Sequence, residues 1–297
     1  MKTQSKSSHN FDELLASHLP NADLHYVAHM TGGVSADAFL LDVKLANEMQ
    51  EKLVLRKHGD RHCGHDARVE YQLLERLHSL GLPVPKPLGF APAAEGRHPY
   101  VLLRYIDGST EIPHEAAAAH IEKMATQLLA IHELATDTLP KLPPRFDPIP
   151  ELLDFLPNDP DWSDLRSKLS LLGSAPFGGE GVLLHGDYWP SNVIWRHDEI
   201  AGVIDWEDAA IGDPLSDVAC ACLELRYIYG EPGSAAFRRS YAARRPIDPF
   251  RFALWQAYVA AAGNQSMGEW GLAPKRVEAM RKTALASIRE AADVLCS

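Results

Sequence analysis

The chain has 297 residues, room for one large domain or two medium ones. Hydrophobic residues make up 46% and charged residues 23%, which excludes a disordered tail and a fibre and fits a chain that buries a core. Lys+Arg 29 against Asp+Glu 40 gives a net charge of -11, which argues against a nucleic-acid partner, because lysine and arginine must neutralise phosphates there.

The opening MKTQSKSSHN is polar and leads into no apolar signal core. No apolar run reaches the length of a membrane span. Residues 36–46 then alternate, with Phe39, Leu41, Val43 and Leu45 on one face, and predict a strand. Residues 52–57 and 100–105 are short, apolar and bounded by turn residues, and predict two more. Between them Val69, Leu73, Leu77 and Leu80 fall at helical spacing, so a helix is expected over 67–80, stopped by Gly81 and Pro83. Beyond Gly108 the pattern predicts helices at about 114–138, 213–229, 249–266 and 273–295. The proline-rich stretch 140–160 reads as a long surface connection, and VLLH, NVIW and GVID within 181–206 read as short strands around loops. The expected organisation is α+β, with a small antiparallel sheet and one main helix over 1–107, and a larger, mainly helical part over 108–297.

The segment that carries chemistry is 182–195, VLLHGDYWPSNVIW. Asp187 follows His185 by two, Asn192 follows Asp187 by five, and Asp205 in GVIDWED lies eighteen beyond Asp187. Each polar group sits at the end of a short apolar strand, where a rigid element presents a side chain at a loop. An amide oxygen and a carboxylate can share a hard cation such as Mg²⁺, which retains water and accepts phosphate oxygens. A further carboxylate beside them can take a proton from a hydroxyl, which completes the minimum set for phosphoryl transfer.

His185, Gly186, Asp187, Asn192, Asp205 and Trp206, with Gly212-Asp213-Pro214 and Asp217 downstream, resemble the aminoglycoside phosphotransferase family, relatives of choline kinases and more distantly of protein kinases. The resemblance runs from about Asn21 to Asp217 and implies a two-lobed protein-kinase-like fold. Residues 1–107 would form a nucleotide-binding lobe, and residues 108–297 a catalytic and substrate-binding lobe. It implies ATP as phosphoryl donor, Mg²⁺ as metal and a small hydroxylated molecule as acceptor. Asp187 would be the catalytic base, His185 and Asp217 would brace the catalytic loop, and Asn192 and Asp205 would hold Mg²⁺. In the first lobe Gly32 and Gly33 would approach the phosphates, and Arg56 braced by Glu70 would reach the α- and β-phosphates. Lys57 is the other candidate cation there. Backbone groups of Arg104 and Ile106 in YVLLRYIDG would meet adenine. A nucleotide-binding pseudokinase with a sensing or scaffolding role is the alternative reading. A metal-dependent hydrolase would need further ligands such as HExxH, which the chain lacks.

Other residues invite competing readings. His58, Asp60, His62, Cys63, His65 and Asp66 crowd one predicted loop but match no closed zinc pattern. Cys220 and Cys222 lie in an apolar helical stretch and read as buried thiols, and His132 reads as structural. Together with Cys63 and Cys296 they contain no CxxC pair, which points to a reducing, cytoplasmic setting. Tyr188, Trp189, Trp206, Trp255 and Trp270 could wall a substrate site or belong to the core, with Trp206 favoured for the site because it adjoins Asp205. With Glu207, Asp208 and Asp213 they could hold a cation, although Asp213 reads better as a loop brace. The oligomeric state leaves no mark in the sequence.

Overall fold

The alternation around Phe39, Leu41 and Val43 builds β2 (Ala36–Lys44), which pairs antiparallel with β1 (Asp23–Met30) on one side and β3 (Gln50–His58) on the other. These strands are seen in a computed structural model, which describes residues 8–30, 36–59, 64–95 and 98–297. The chain divides into two units, Met1–Asp107 and Gly108–Ser297. In the first, β4 (Pro87–Ala91) and β5 (Tyr100–Arg104) complete a sheet in the order β1-β2-β3-β5-β4.

Side chains alternate across a strand, so β3 has two unlike faces. Leu53 and Leu55 are fully buried and join Leu41, Val43 and Leu102 beneath α1 (Ser8–His18), which contributes Phe11, Leu14 and Leu15. Lys57 shares that face, its ammonium 4.7 Å from the centre of the Phe11 ring and 5.2 Å from that of Phe39. Arg56 and His58 point the opposite way, to Glu70 on α2 (Ala67–Ser79). Asp66 caps α2 by accepting the Val69 N–H at 2.9 Å. The helix gives way at Gly81, whose φ of 82° suits a residue without Cβ.

The second unit is mainly helical. Its elements are α3 (Ala117–His132), β6 (Pro144–Arg145), α4 (Ile149–Phe155), α5 (Ser163–Leu172), β7 (Val182–Leu184), β8 (Val193–Arg196), β9 (Glu199–Val203), β10 (Ala210–Gly212), α6 (Leu215–Ala242), α7 (Pro249–Ser266) and α8 (Pro274–Leu295). Leu152, Trp162, Leu165, Leu254, Ala257 and Ile288, drawn from α4 to α8 and the turn before α5, form one apolar core. A small sheet has the order β6-β10-β7, and β8 and β9 form a separate hairpin.

Three expectations need correction. The stretch 140–160 is not a surface connection: it holds β6 and α4, and Ile149 and Leu152 are fully buried. The prolines misled, because Pro150 occupies the first turn of α4, where a missing N–H is tolerated. The helix expected over 114–138 ends at His132. The helix expected to stop near 229 runs on as α6 to Ala242, bent at Gly230 (φ 73°) with Pro232 just beyond. Among the described residues no helix is long and apolar enough to cross a membrane. Cys220, Cys222 and Cys296 carry no disulfide, and Cys63 lies outside the described residues.

Candidate active site

β7 is three buried apolar residues, and it delivers His185 to a sharp turn. Gly186 adopts φ 91°, and a Cβ built there would lie 2.0 Å from the backbone oxygen of Asp208. Only glycine fits that position. The turn is held from below by Asp217, fully buried in the first turn of α6. Its two carboxylate oxygens accept the backbone N–H groups of His185 (2.7 Å) and Gly186 (2.9 Å). His132 Nε2 donates to the same carboxylate at 3.1 Å, and its Nδ1 accepts from the Tyr241 hydroxyl at 2.7 Å. Burial would raise the Asp217 pKa, but the hydrogen bond and charge of His132, with His185 and the Gly186 N–H, hold it below the usual range.

The His185 ring lies under this turn and is fully buried. Its Nε2–H donates to the Ile204 carbonyl at 2.9 Å, and its Nδ1 accepts the Asp187 N–H at 3.2 Å. That pair of partners fits a single neutral tautomer, and burial lowers the ring's pKa accordingly. His185 therefore positions Asp187 through the backbone and offers no surface to a substrate.

The distance in sequence between Asn192 and Asp205 is closed by the β8–β9 hairpin. His197 (φ 51°) and Asp198 (φ 61°) form its two-residue turn, with both residues left-handed, as the twist of the strands requires. Val193 pairs with Val203, and the Ile204 N–H reaches the Asn192 carbonyl at 2.9 Å. Asn192 and Asp205 thus flank the open end of one ladder, opposite its turn. The Asn192 amide Nδ2 donates to the Asp187 carbonyl at 2.8 Å and to its Oδ2 at 3.0 Å. The Cys220 thiol lies 3.7 Å from the other carboxylate oxygen, Oδ1. Asp205 sits at φ 69°, a left-handed conformation uncommon for a residue with a side chain. Burial, then the charges of Asp205 and Asp208, push Asp187 up to about 7, against the opposing hydrogen bonds from Asn192 and Cys220.

The first unit brings Arg56 and Glu70 together: Arg56 Nη1 donates to Glu70 Oε1. His58 Nε2 meets the other oxygen, Oε2, at 2.9 Å. Burial alone would raise the Glu70 pKa, yet the Arg56 charge and the two hydrogen bonds bring it down to about 2. His58 is the last residue of β3 and not part of a loop, and Asp60, His62 and Cys63 lie outside the described residues. The Arg104 guanidinium pairs with Glu51 at 2.9 Å, and its backbone N–H is taken by the Lys86 carbonyl at 2.9 Å. Ile106, two residues on, is partly buried. A groove of about 580 Å³ adjoins this segment, lined by His25, Asp42, Glu51, Lys52, Arg104 and Tyr105 among others. Gly32 and Gly33 lie outside the described residues.

Several aromatic expectations change. Trp206 is buried, its Nε1 donates to the Val203 carbonyl at 3.0 Å, and its ring packs 4.6 Å from that of His185. It supports the catalytic loop and does not wall a substrate. Tyr188 and Trp255 are also buried, donating to Met124 (3.0 Å) and Asp213 (2.6 Å). Asp213 in turn holds Arg251 and the start of α6, as a structural brace. Sequence reading placed His58 in a loop and Cys220 among buried thiols without linking either to Glu70 or Asp187, and it did not single out Tyr241. His58 stands two residues from Arg56, on the same strand face, and Cys220 stands one helical turn from Asp217, so both had a periodicity signal. Tyr241, on the far half of α6, had none.

No three His, Cys, Asp or Glu side chains among the described residues group as a self-sufficient metal site. The donors that are present, a carboxylate on Asp205 and an amide oxygen on Asn192 whose nitrogen already faces Asp187, are hard oxygen ligands, few in number. They fit Mg²⁺, which retains waters and takes phosphate oxygens.

A five-stranded sheet with one buried Arg–Glu pair, joined in sequence to a helical unit that holds the His-Gly-Asp turn, defines the protein-kinase-like fold. The profile of the Phosphotransferase enzyme family (APH) matches residues 30–255, and the chain belongs to that family. An aminoglycoside 3'-phosphotransferase of Niallia circulans is 28% identical over 165 residues, covering 50% of this chain and 62% of that protein, less than two thirds of its length. A homoserine kinase of Methylobacterium sp. (strain 4-46) is 25% identical over 260 residues, 80% of this chain and 78% of that one. Among solved structures, a thermostable mutant of aminoglycoside phosphotransferase APH(4)-Ia, in ternary complex with AMP-PNP and hygromycin B, matches with a TM-score of 0.68 at 18% identity, over 94% of this chain and 98% of that one. That last likeness is one of fold.

Proposed function

We propose that this protein is a kinase that transfers the γ-phosphoryl group of ATP to a hydroxyl of a small molecule, with Mg²⁺ as the metal. The observation that carries the reading is Asp187: a partly buried carboxylate, with a partner on each oxygen, at the end of a rigid turn, with Asn192 against it and Asp205 across the hairpin. Asp187 orients the acceptor hydroxyl and takes its proton as the oxygen–phosphorus bond forms and the bond to the departing diphosphate breaks. Asn192 and Asp205 would hold Mg²⁺, which when bound neutralises charge on the phosphate oxygens. Arg56, its guanidinium pre-oriented by Glu70, would meet the α- and β-phosphates. Lys57 is committed to the opposite face of β3, over Phe11 and Phe39, which favours Arg56 for that role. The glycines at 32 and 33 would let the backbone approach the phosphates. Placement and charge stabilisation supply most of the acceleration. The free thiols of the second unit suit a cytoplasmic setting.

Labelled transfer from γ-³²P-ATP with Mg²⁺, screened over amino alcohols, sugars, aminoglycosides, macrolides and hydroxyacyl compounds, tests the reading. The expected result is a labelled product with at least one acceptor class. Tight Mg-ATP binding with neither transfer nor slow ATP hydrolysis would instead identify a pseudokinase.

A further inference from the structure

A cation outside the catalytic set touches the catalytic turn. Arg145 ends β6 and is partly buried. Its backbone is fixed from two directions. Its own carbonyl accepts the Asp213 N–H at 2.9 Å, and the next carbonyl, of Phe146, accepts from the Phe177 N–H at 2.9 Å and from Arg251 Nη2 at 2.6 Å. Gly212 lets β6 approach this closely, because a Cβ there would lie 1.9 Å from the Arg145 oxygen. In the order β6-β10-β7, one strand separates Arg145 from the turn that follows β7. The side chain bridges that gap, and its Nη1 donates to the Gly186 carbonyl at 3.2 Å. Among the described residues the Arg145 guanidinium forms no ion pair, although the chain carries a net charge of -11, so an acidic partner is not what holds it there.

The bond acts on the peptide unit from which Asp187 springs. A peptide is planar, so the Gly186 carbonyl and the Asp187 N–H rotate together. His185 Nδ1 holds the N–H end at 3.2 Å, and Arg145 holds the carbonyl end. Asp217 secures the N–H groups of His185 and Gly186, which belong to the two preceding peptides. The turn requires glycine at 186, and glycine resists rotation of the following peptide less than any other residue. Such rotation would displace the base from Asn192 and from the acceptor. The charge of Arg145 is also felt beside the base: burial and then Asp187, Glu224 and Asp217 raise the pKa of the Cys220 thiol, and Arg145 lowers it.

Resting on the kinase reading above, we infer that Arg145 is a positioning residue, which by holding the Gly186 carbonyl stops the Gly186–Asp187 peptide from rotating and keeps the Asp187 carboxylate aligned with the incoming hydroxyl. It acts through the backbone, without contact to nucleotide or acceptor.

The test uses the full chain with Mg-ATP, first with water as the acceptor, read as slow ATP hydrolysis, and then with any acceptor labelled in the transfer screen. In Arg145→Ala the expected result is a kcat lower by roughly ten- to a hundredfold, the scale of loss from about 1 Å of misplacement. The KM values for ATP and acceptor should stay at those of wild type. Millimolar guanidinium added to Arg145→Ala should restore part of the lost kcat, and Arg145→Lys, which keeps a donor, should retain part of it. A wild-type kcat in Arg145→Ala overturns the inference. So does a rise in either KM with kcat unchanged, which would make Arg145 a ligand contact. A lower kcat with a lower Tm, relieved neither by guanidinium nor by Arg145→Lys, would mark a merely structural role and overturns it as well. These three outcomes leave the kinase reading standing, because wild type is active in each. A wild-type protein that neither hydrolyses ATP nor transfers phosphate would overturn the kinase reading, and the inference with it.

Discussion

The His-Gly-Asp turn shows how little freedom the site leaves at individual positions. Gly186 is left-handed and lies against the backbone of Asp208, so Gly186→Ala must pay both a φ penalty of about 1–2 kcal/mol and a backbone displacement. We expect that variant to melt several degrees lower and to lose transfer, measured by calorimetry and by label incorporation; a fully active, equally stable variant would mean that the turn is not held as described. Glu70 makes a different prediction. Its folded carboxyl titrates near 2 against an ordinary 4.5. A depressed carboxylate contributes stability that is complete above the unfolded pKa and is lost as pH falls through the folded one. Glu70→Gln should therefore destabilise the protein most at neutral pH, by roughly 3 kcal/mol. The gap between wild type and variant should shrink between pH 4.5 and 2. Urea midpoints across that range check it, and a constant gap would show that Arg56 and His58 do not hold Glu70 as an anion.

Among the elements, the β8–β9 hairpin matters most, because its register sets where Asn192 and Asp205 lie. Its His197-Asp198 turn needs both residues left-handed, which a β-branched side chain resists. Asp198→Val should cost about 1–2 kcal/mol and lower transfer, whereas replacing the pair by Asn-Gly should retain both stability and activity. Melting curves and transfer rates of the two variants decide this, and equal behaviour would separate the hairpin from the site. The same elements show what could be read from the sequence. The strand at 36–44, the helix at 67–79 and the short strands of 181–206 were legible because apolar periodicity and turn residues agree there. The motif residues were legible because Asp187, Asn192 and Asp205 are fixed by short local structures. The α4 helix was hidden because proline marks a helix start as well as a linker, and Gly230 concealed the second half of α6. Trp206 was misplaced because adjacency to Asp205 in sequence does not decide which way an indole faces. His132 meets Asp217 and Tyr241 only through tertiary packing of α3 on α6, which no local pattern records.

At the scale of the whole molecule, the chain sorts its charges by unit. The first unit supplies the buried Arg56–Glu70–His58 cluster, and the second supplies the carboxylates around Asp187. A ligand that binds the native state stabilises it by mass action, about 2.7 kcal/mol at one hundred times its Kd. Mg-ATP should therefore raise Tm in wild type, and Arg56→Ala should abolish most of that rise; an undiminished shift would place the phosphates elsewhere. The most direct measurement is the rate of γ-phosphoryl transfer by Asp187→Asn beside wild type, with Mg-ATP affinity determined on the same samples. Loss of the base is expected to lower transfer by a factor of about 10²–10⁴ while nucleotide affinity stays within a few fold. Turnover close to wild type in that variant would contradict the assignment of Asp187 as the residue on which the chemistry depends.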